Sequence, residues 1–257
     1  MNIKKHIPNF ITILNLVCGV FAIFYFINSK HMDMSISCFG FGKTESIGAI
    51  YIEKGIWLIL TATVLDFLDG FAARLLKVQS EIGAQLDSLA DMVTFGVAPG
   101  FLFYAIIDYF YTTRVDPSLI YLFILIPIFS ALRLAKFNVD DEQTNYFKGL
   151  ATPANAIFWI GVYFFIKEFL NTDVHFNNLI MLGTTSFFAI VMSLLMTSNL
   201  RMFSLKLKNL KFEGDNIYRV ILIVSAIILT IMFGMFTNIL AALPFIILLY
   251  ILLSIHY

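Results

Sequence analysis

Eight apolar runs, each long enough to cross a bilayer, follow one another along these 257 residues. They cover residues 10–28, 55–76, 83–110, 118–136, 153–170, 178–196, 217–236 and 238–255. Lipid offers no partner to a free backbone N–H or C=O, so such runs must be helical and open sheets are excluded from the hydrocarbon. Hydrophobic residues make up 60% of the chain and charged ones 13%, which rules out a soluble domain. The expected fold class is an all-α polytopic membrane protein. The third run exceeds one crossing, so it is expected to tilt or to extend beyond the membrane. The first run follows Lys4 and Lys5 but is too long for a signal-peptide core, and it reads as a retained helix. Cys18 lies in an apolar run and Cys38 in a loop, so no disulfide framework is expected.

Charge sets the expected orientation. Twelve of the 17 Lys and Arg residues, Arg74, Lys77, Arg133 and Lys136 among them, fall on the side of the N-terminus, and the other five fall opposite. The positive-inside rule then puts both termini in the cytoplasm, as in a multi-pass protein of the inner membrane. The loop 201–219 is basic; it either follows this same bias or rests on anionic headgroups. The loop 29–54 carries a turn-like Cys38-Phe39-Gly40-Phe41-Gly42 stretch with no functional reading. The four histidines, His6, His31, His175 and His256, form no constellation.

Against this oily background four aspartates stand close together. Asp66, Asp69, Gly70, Ala73 and Arg74 recur at i, i+3, i+4, i+7 and i+8, one stripe of a helix. Gly83, Asp87 and Asp91 form a second stripe at i, i+4 and i+8. An Asp at the centre of an inserted helix costs about 2.5–3.5 kcal/mol, so four of them need compensation. Two facing helices can aim them at one space, where oxygen ligands without His or Cys suit Mg²⁺ or Mn²⁺ and not zinc. Two such ions can clamp a pyrophosphate, with Arg74 as a forked phosphate donor on the same face. Gly70 and Gly83 remove side chains where a ligand or the opposite helix must come close, and Ser80 offers a hydroxyl in the turn between. A carboxylate at the far end of the cluster can serve as general base. This chemistry points to phosphoryl or phosphatidyl transfer at a membrane surface.

The pattern Asp66-x2-Asp69-Gly70-x2-Ala73-Arg74-x8-Gly83-x3-Asp87-x3-Asp91 resembles the signature of the CDP-alcohol phosphotransferases without a departure. The resemblance implies six core transmembrane helices, a homodimer and a site open to the cytoplasm. It implies two divalent cations held by Asp66, Asp69, Asp87 and Asp91, CDP contacts from Gly70, Arg74 and Ser80, and Asp91 as the base. The last two helices become an addition to that core. The expected division is a membrane domain over 1–200, followed by a basic loop and a helical hairpin over 201–257.

Three further stretches resemble the serine-using members of that family. They are Pro8-Asn9-Phe10-Ile11-Thr12-Ile13-Leu14-Asn15 with the following Leu16 to Gly19, Asp87 through Pro99, and Arg133-Leu134-Ala135-Lys136-Phe137-Asn138 with Gly149-Leu150 and Pro153-Ala154. Glycerophosphate-using relatives typically carry Arg where Asn15 stands. The likeness spans 8–154 and implies transfer of a phosphatidyl group from CDP-diacylglycerol to L-serine. Arg133 is then expected to hold the serine carboxylate with help from Lys136 or Asn138; the alternative is a pair of snorkelling anchors. Asn9, Thr12 and Asn15 form a polar stripe that either bonds a neighbouring helix or touches substrate. Transfer to glycerol 3-phosphate or inositol phosphate is the nearest alternative, and a cation-coupled transporter is the alternative of another class. The expected partners are lipid substrate, serine and the bilayer, with no nucleic acid.

Overall fold

A computed structural model describes residues 6–30, 35–37, 44–78, 80–111, 117–139, 146–170, 178–203 and 216–257. Lys4, Lys5, the Cys38 to Gly42 stretch, His31, His175 and residues 204–215 of the basic loop lie outside the described residues. The chain divides into two compact units, Met1–Ile128 and Phe129–Tyr257. The division expected at residue 200 falls inside the second of these.

Every expected run is a helix, and the chain is an all-α polytopic membrane protein. Six helical stretches among the described residues are long and apolar enough to cross a membrane: Ile7–Asn28, Ile47–Leu76, Glu81–Tyr111, Ser118–Val139, Leu179–Thr197 and Asn216–Phe236. The run at 153–170 forms a 19-residue helix, Thr152–Leu170, made less apolar by Asn155, Lys167 and Glu168. The final run is a shorter apolar helix, Ile239–Ile255.

In the first unit, α1 (Ile7–Asn28) packs along α2 (Ile47–Leu76). The latter starts eight residues before its apolar run does, because Ser46 caps it by accepting the Ala49 N–H at 3.2 Å. At its other end Lys77 adopts a left-handed conformation, φ 53°. There the Lys77 and Val78 N–H groups close onto the carbonyls of Arg74 and Ala73, the pairing of a Schellman ending. The chain re-enters helix at once: Ser80 accepts the Gly83 N–H at 3.0 Å and caps α3 (Glu81–Asp91). A π-helical turn, Met92–Val97, joins α3 to α4 (Ala98–Tyr111). Its Thr94 donates to the Asn15 carbonyl of α1 at 3.2 Å. This crossing needs Gly19, since a Cβ there would lie 2.5 Å from Thr94 Oγ1. At the opposite end Lys30 pairs with the buried Asp108 at 2.8 Å. The core between the helices is aliphatic and aromatic, with Phe26, Ile52, Ile56, Ile59, Phe95 and Leu102 fully buried.

The remaining elements are a 3₁₀ turn (Pro117–Ile124), α5 (Leu125–Val139), α6 (Thr152–Leu170), α7 (Asn178–Thr197), α8 (Asn216–Phe236), a second 3₁₀ turn (Ile239–Ala242) and α9 (Leu243–Ile255). In the second unit, α9 and its 3₁₀ turn pack on α6 and α8. Trp159, Phe158 and Tyr163 are buried on α6. The Tyr250 hydroxyl of α9 donates to the Phe203 carbonyl at 3.0 Å. Ser130 of α5 reaches Met196 of α7, and the Gly149 and Leu150 N–H groups bond the carbonyls of Leu200 and Leu195.

Short antiparallel ladders also occur, which hydropathy gives no reason to expect. Ser35–Ser37 pairs with Thr44–Ser46, and Tyr146–Lys148 pairs with Arg201–Phe203. Both sit in connecting segments between the apolar runs, where the exclusion of strands from lipid does not apply.

Candidate active site

The tight turn between α2 and α3 folds the two aspartate stripes onto each other. One carboxylate oxygen from each of Asp66, Asp69 and Asp87 lies within 4.8 Å of the others. Asp91, one turn after Asp87 on the same stripe, stands outside this trio and beside Asp66. Asp69 is 5% exposed, and Thr12 of α1 donates to its Oδ2 at 2.7 Å. Asp87 Oδ1 is buried with no hydrogen-bond partner among the described residues. None of Asp66, Asp69 and Asp87 pairs with a Lys or Arg of the described residues.

Electrostatics decides what such a cluster is for. Two unit charges 4.8 Å apart repel by roughly 3 kcal/mol at an effective dielectric near 20. Three such pairs cannot be held together by one hydroxyl donor. The donor set is entirely carboxylate oxygen, with one buried oxygen left over, and this fits hard divalent cations.

Beside the cluster opens a cavity of about 550 Å³, within the usual range for a small-molecule site. Asp69, Gly70, Arg74 and Asp87 line its carboxylate end. The Arg74 guanidinium folds back over Gly70, 3.9 Å from where a Cβ would stand. Asn9 and Thr12 line it from α1, and Ser80 and Glu81 from the start of α3. Gly83 keeps this end open, since a Cβ there would lie 3.0 Å from both Asn9 Oδ1 and Ser80 Oγ.

Thus the first unit brings together nine of the residues singled out in the sequence: Asn9, Thr12, Asp66, Asp69, Gly70, Arg74, Ser80, Asp87 and Asp91. In the polar stripe of α1, Thr12 bonds a neighbouring helix, Asn9 faces the cavity, and Asn15 is fully buried with neither side-chain polar atom partnered among the described residues. Glu81, which no sequence motif singles out, also lines the cavity and is exposed. Its only sequence signal is its place in the first turn, between the cap Ser80 and the motif residue Gly83. Arg133, Lys136 and Asn138 belong to the second unit. There Arg133 is 8% exposed and lies 5.0 Å from the Phe137 ring, while Lys136 and Asn138 are exposed and Lys136 donates to the Thr197 carbonyl at 3.1 Å.

Comparison with known proteins fixes the lineage. The profile of the CDP-alcohol phosphatidyltransferases matches residues 5–253. The chain belongs to this family. A Helicobacter pylori protein named CDP-diacylglycerol–serine O-phosphatidyltransferase is 30% identical over 200 residues, covering 76% of this chain and 70% of its own. Proteins of the same name are 32% identical over 177 residues in Saccharomyces cerevisiae (65% of this chain, 57% of that one) and 35% over 153 in Bacillus subtilis (58% and 70%). The family match decides for an enzyme over a cation-coupled transporter. This phosphatidyltransferase is a multi-pass integral membrane protein.

Proposed function

We propose that this enzyme transfers the phosphatidyl group of CDP-diacylglycerol to the hydroxyl of L-serine, releasing CMP and phosphatidylserine. The observation that carries the reading is the meeting of Asp66, Asp69 and Asp87 at one end of a cavity that Arg74 also lines. The serine assignment rests on the printed names of the relatives and on the resemblance over 8–154.

Asp66, Asp69, Asp87 and Asp91 would hold two divalent cations, Mg²⁺ or Mn²⁺. Bound there, the ions supply Lewis-acid stabilisation of charge on the pyrophosphate. Arg74, with Gly70 and Ser80 beside it, binds the phosphates of CDP, its planar fork matched to their oxygens. Asp91 takes the proton from the serine hydroxyl. The serine oxygen forms its bond to the phosphorus that carries diacylglycerol, and the bond from that phosphorus to the bridging oxygen breaks. CMP leaves with the electron pair. Attack is direct, with no covalent enzyme intermediate. Arg133, assisted by Lys136 or Asn138, pairs with the serine carboxylate, and Asn9 and Thr12 complete the substrate contacts. The site faces the cytoplasm of an inner-membrane homodimer, and residues 201–257 extend the 1–200 membrane domain.

One assay tests this. Purified protein is given CDP-diacylglycerol with serine, glycerol 3-phosphate and inositol phosphate in competition. Phosphatidylserine should dominate, with equimolar CMP. Efficient use of another acceptor with serine inert would overturn the serine reading and leave the family reaction in place.

A further inference from the structure

Thr152 and Asn155 stand in the first turn of α6, Ser193 stands just before the last turn of α7, and each is 0% exposed. Among the described residues no hydrogen bond is made by Thr152 Oγ1, by Ser193 Oγ or by either polar atom of the Asn155 side chain. A buried polar group left unpaired costs about 1–3 kcal/mol, and lipid supplies no partner. The ordinary structural uses of these residue types are not made. A Thr or Asn at a helix start caps a backbone N–H. A buried hydroxyl within a helix returns to the carbonyl one turn back, as Thr185 does to Met181 at 2.7 Å and Ser254 to Tyr250 at 2.8 Å.

The fold gathers these groups at the end of the second unit that holds Arg133. The N–H groups of Gly149 and Leu150, just ahead of α6, bond the carbonyls of Leu200 and Leu195 at 2.9 and 3.0 Å. This fastens the start of α6 to the end of α7, next to Ser193. On α5, Ser130 reaches Met196 Sδ at 3.5 Å and Lys136 donates to the Thr197 carbonyl at 3.1 Å. Arg133 lies midway between these two along the helix and is itself 8% exposed. One buried guanidinium and a set of unpaired oxygens thus share the same end of α7. A guanidinium takes a carboxylate, and an ammonium group has three donors for three oxygens. An α-amino acid carries both groups on one carbon.

We propose that Asn155 Oδ1, with the Thr152 and Ser193 hydroxyl oxygens, accepts the ammonium group of the serine acceptor while Arg133 holds its carboxylate, and that these oxygens select an amino acid over an acceptor without the amine. The Asn155 Nδ2 donor then falls to the same carboxylate. An acceptor that lacks the amine leaves buried oxygens unpaired, the kind of loss that discriminates strongly between substrates. The inference rests on the serine reading above and on Arg133 as the carboxylate partner.

The test measures CMP release by the full-length protein in detergent with CDP-diacylglycerol and Mn²⁺. It compares L-serine with 3-hydroxypropionate, the same acceptor without its amine. The wild type should favour serine in kcat/KM about ten- to a hundredfold, the range of one charge-assisted hydrogen bond. Asn155→Leu should lose most of that preference, with the KM for CDP-diacylglycerol little changed. Thr152→Val keeps the shape and removes the oxygen; it should lower the preference severalfold, and Thr152→Ser should restore it. A packing defect weakens both acceptors alike, so the ratio separates binding from folding. Equal use of the two acceptors by the wild type, a measurement needing no variant, would overturn the inference. So would a preference unchanged in Asn155→Leu and Thr152→Val, the result for polar groups served only by buried water. A wild type inert toward serine and active with glycerol 3-phosphate would instead sink the serine reading itself.

Discussion

Thr12 Oγ1 donates to Asp69 Oδ2 across 57 positions of sequence, at 2.7 Å, while lying 3.0 Å from the carbonyl of Pro8. The hydroxyl fixes one oxygen of a buried carboxylate from a helix that carries no acidic residue of its own. It thereby ties the position of α1 to the geometry of the cluster. Thr12→Val keeps the shape and removes the donor. A hydrogen bond to a charged group contributes about 1.5–3 kcal/mol. The Mn²⁺ concentration for half-maximal CMP release should rise about tenfold, and Thr12→Ser should restore it. An unchanged metal titration would reduce Thr12 to a packing residue.

The aspartates should fail in different ways. Asp66→Asn, Asp69→Asn and Asp87→Asn are expected to lose activity through metal occupancy, so excess Mn²⁺ should recover part of it. Asp91→Asn should lower kcat by at least two powers of ten while CDP-diacylglycerol binding survives, because proton removal contributes about 10²–10⁴-fold. Metal titrations of turnover and of substrate binding separate the two cases. Near-normal turnover of Asp91→Asn refutes its role as base, and full activity in excess chelator refutes the cation site.

Arg133 is the test of the acceptor. Lys keeps its charge and loses the planar fork, so Arg133→Lys should raise the serine KM by about one to two powers of ten. The KM for CDP-diacylglycerol should move far less. A serine KM unchanged in Arg133→Ala leaves the residue with its stacking on Phe137 and no part in acceptor binding.

The crossing of α1 with the π turn should be sensitive to a single methyl group. In Gly19→Ala the new Cβ would meet Thr94 Oγ1 at 2.5 Å and its Cα at 3.0 Å, so backbone must move. Overpacking of this kind costs about 1–3 kcal/mol. Thermal unfolding in detergent should shift down by several degrees, and Thr94→Ala added to Gly19→Ala should recover part of the loss. An unshifted midpoint would mean that the π turn yields freely.

Much of this protein was legible in one dimension. Hydropathy is a sum over neighbours in sequence, so each of the eight apolar runs became a helix. The aspartate stripes were visible because residues three, four and seven apart share a helical face, a property of each helix alone. Edges were less legible. The apolar run in α2 begins at residue 55, yet the helix begins at Ile47, because the Ser46 cap and not hydrophobicity starts it. Tertiary structure decided the rest. Only the Schellman ending at Lys77 and the cap at Ser80 turn two stripes into one cluster with its oxygens within 4.8 Å. The register of α1 selects Thr12 for Asp69, lays Asn9 along the cavity and sends Asn15 into the interior. The packing of α9 on α6 and α8 makes the last helices part of the second unit. Each of these depends on distances between segments far apart in the chain, set by how side chains interdigitate across helices, and no periodicity within one helix encodes them.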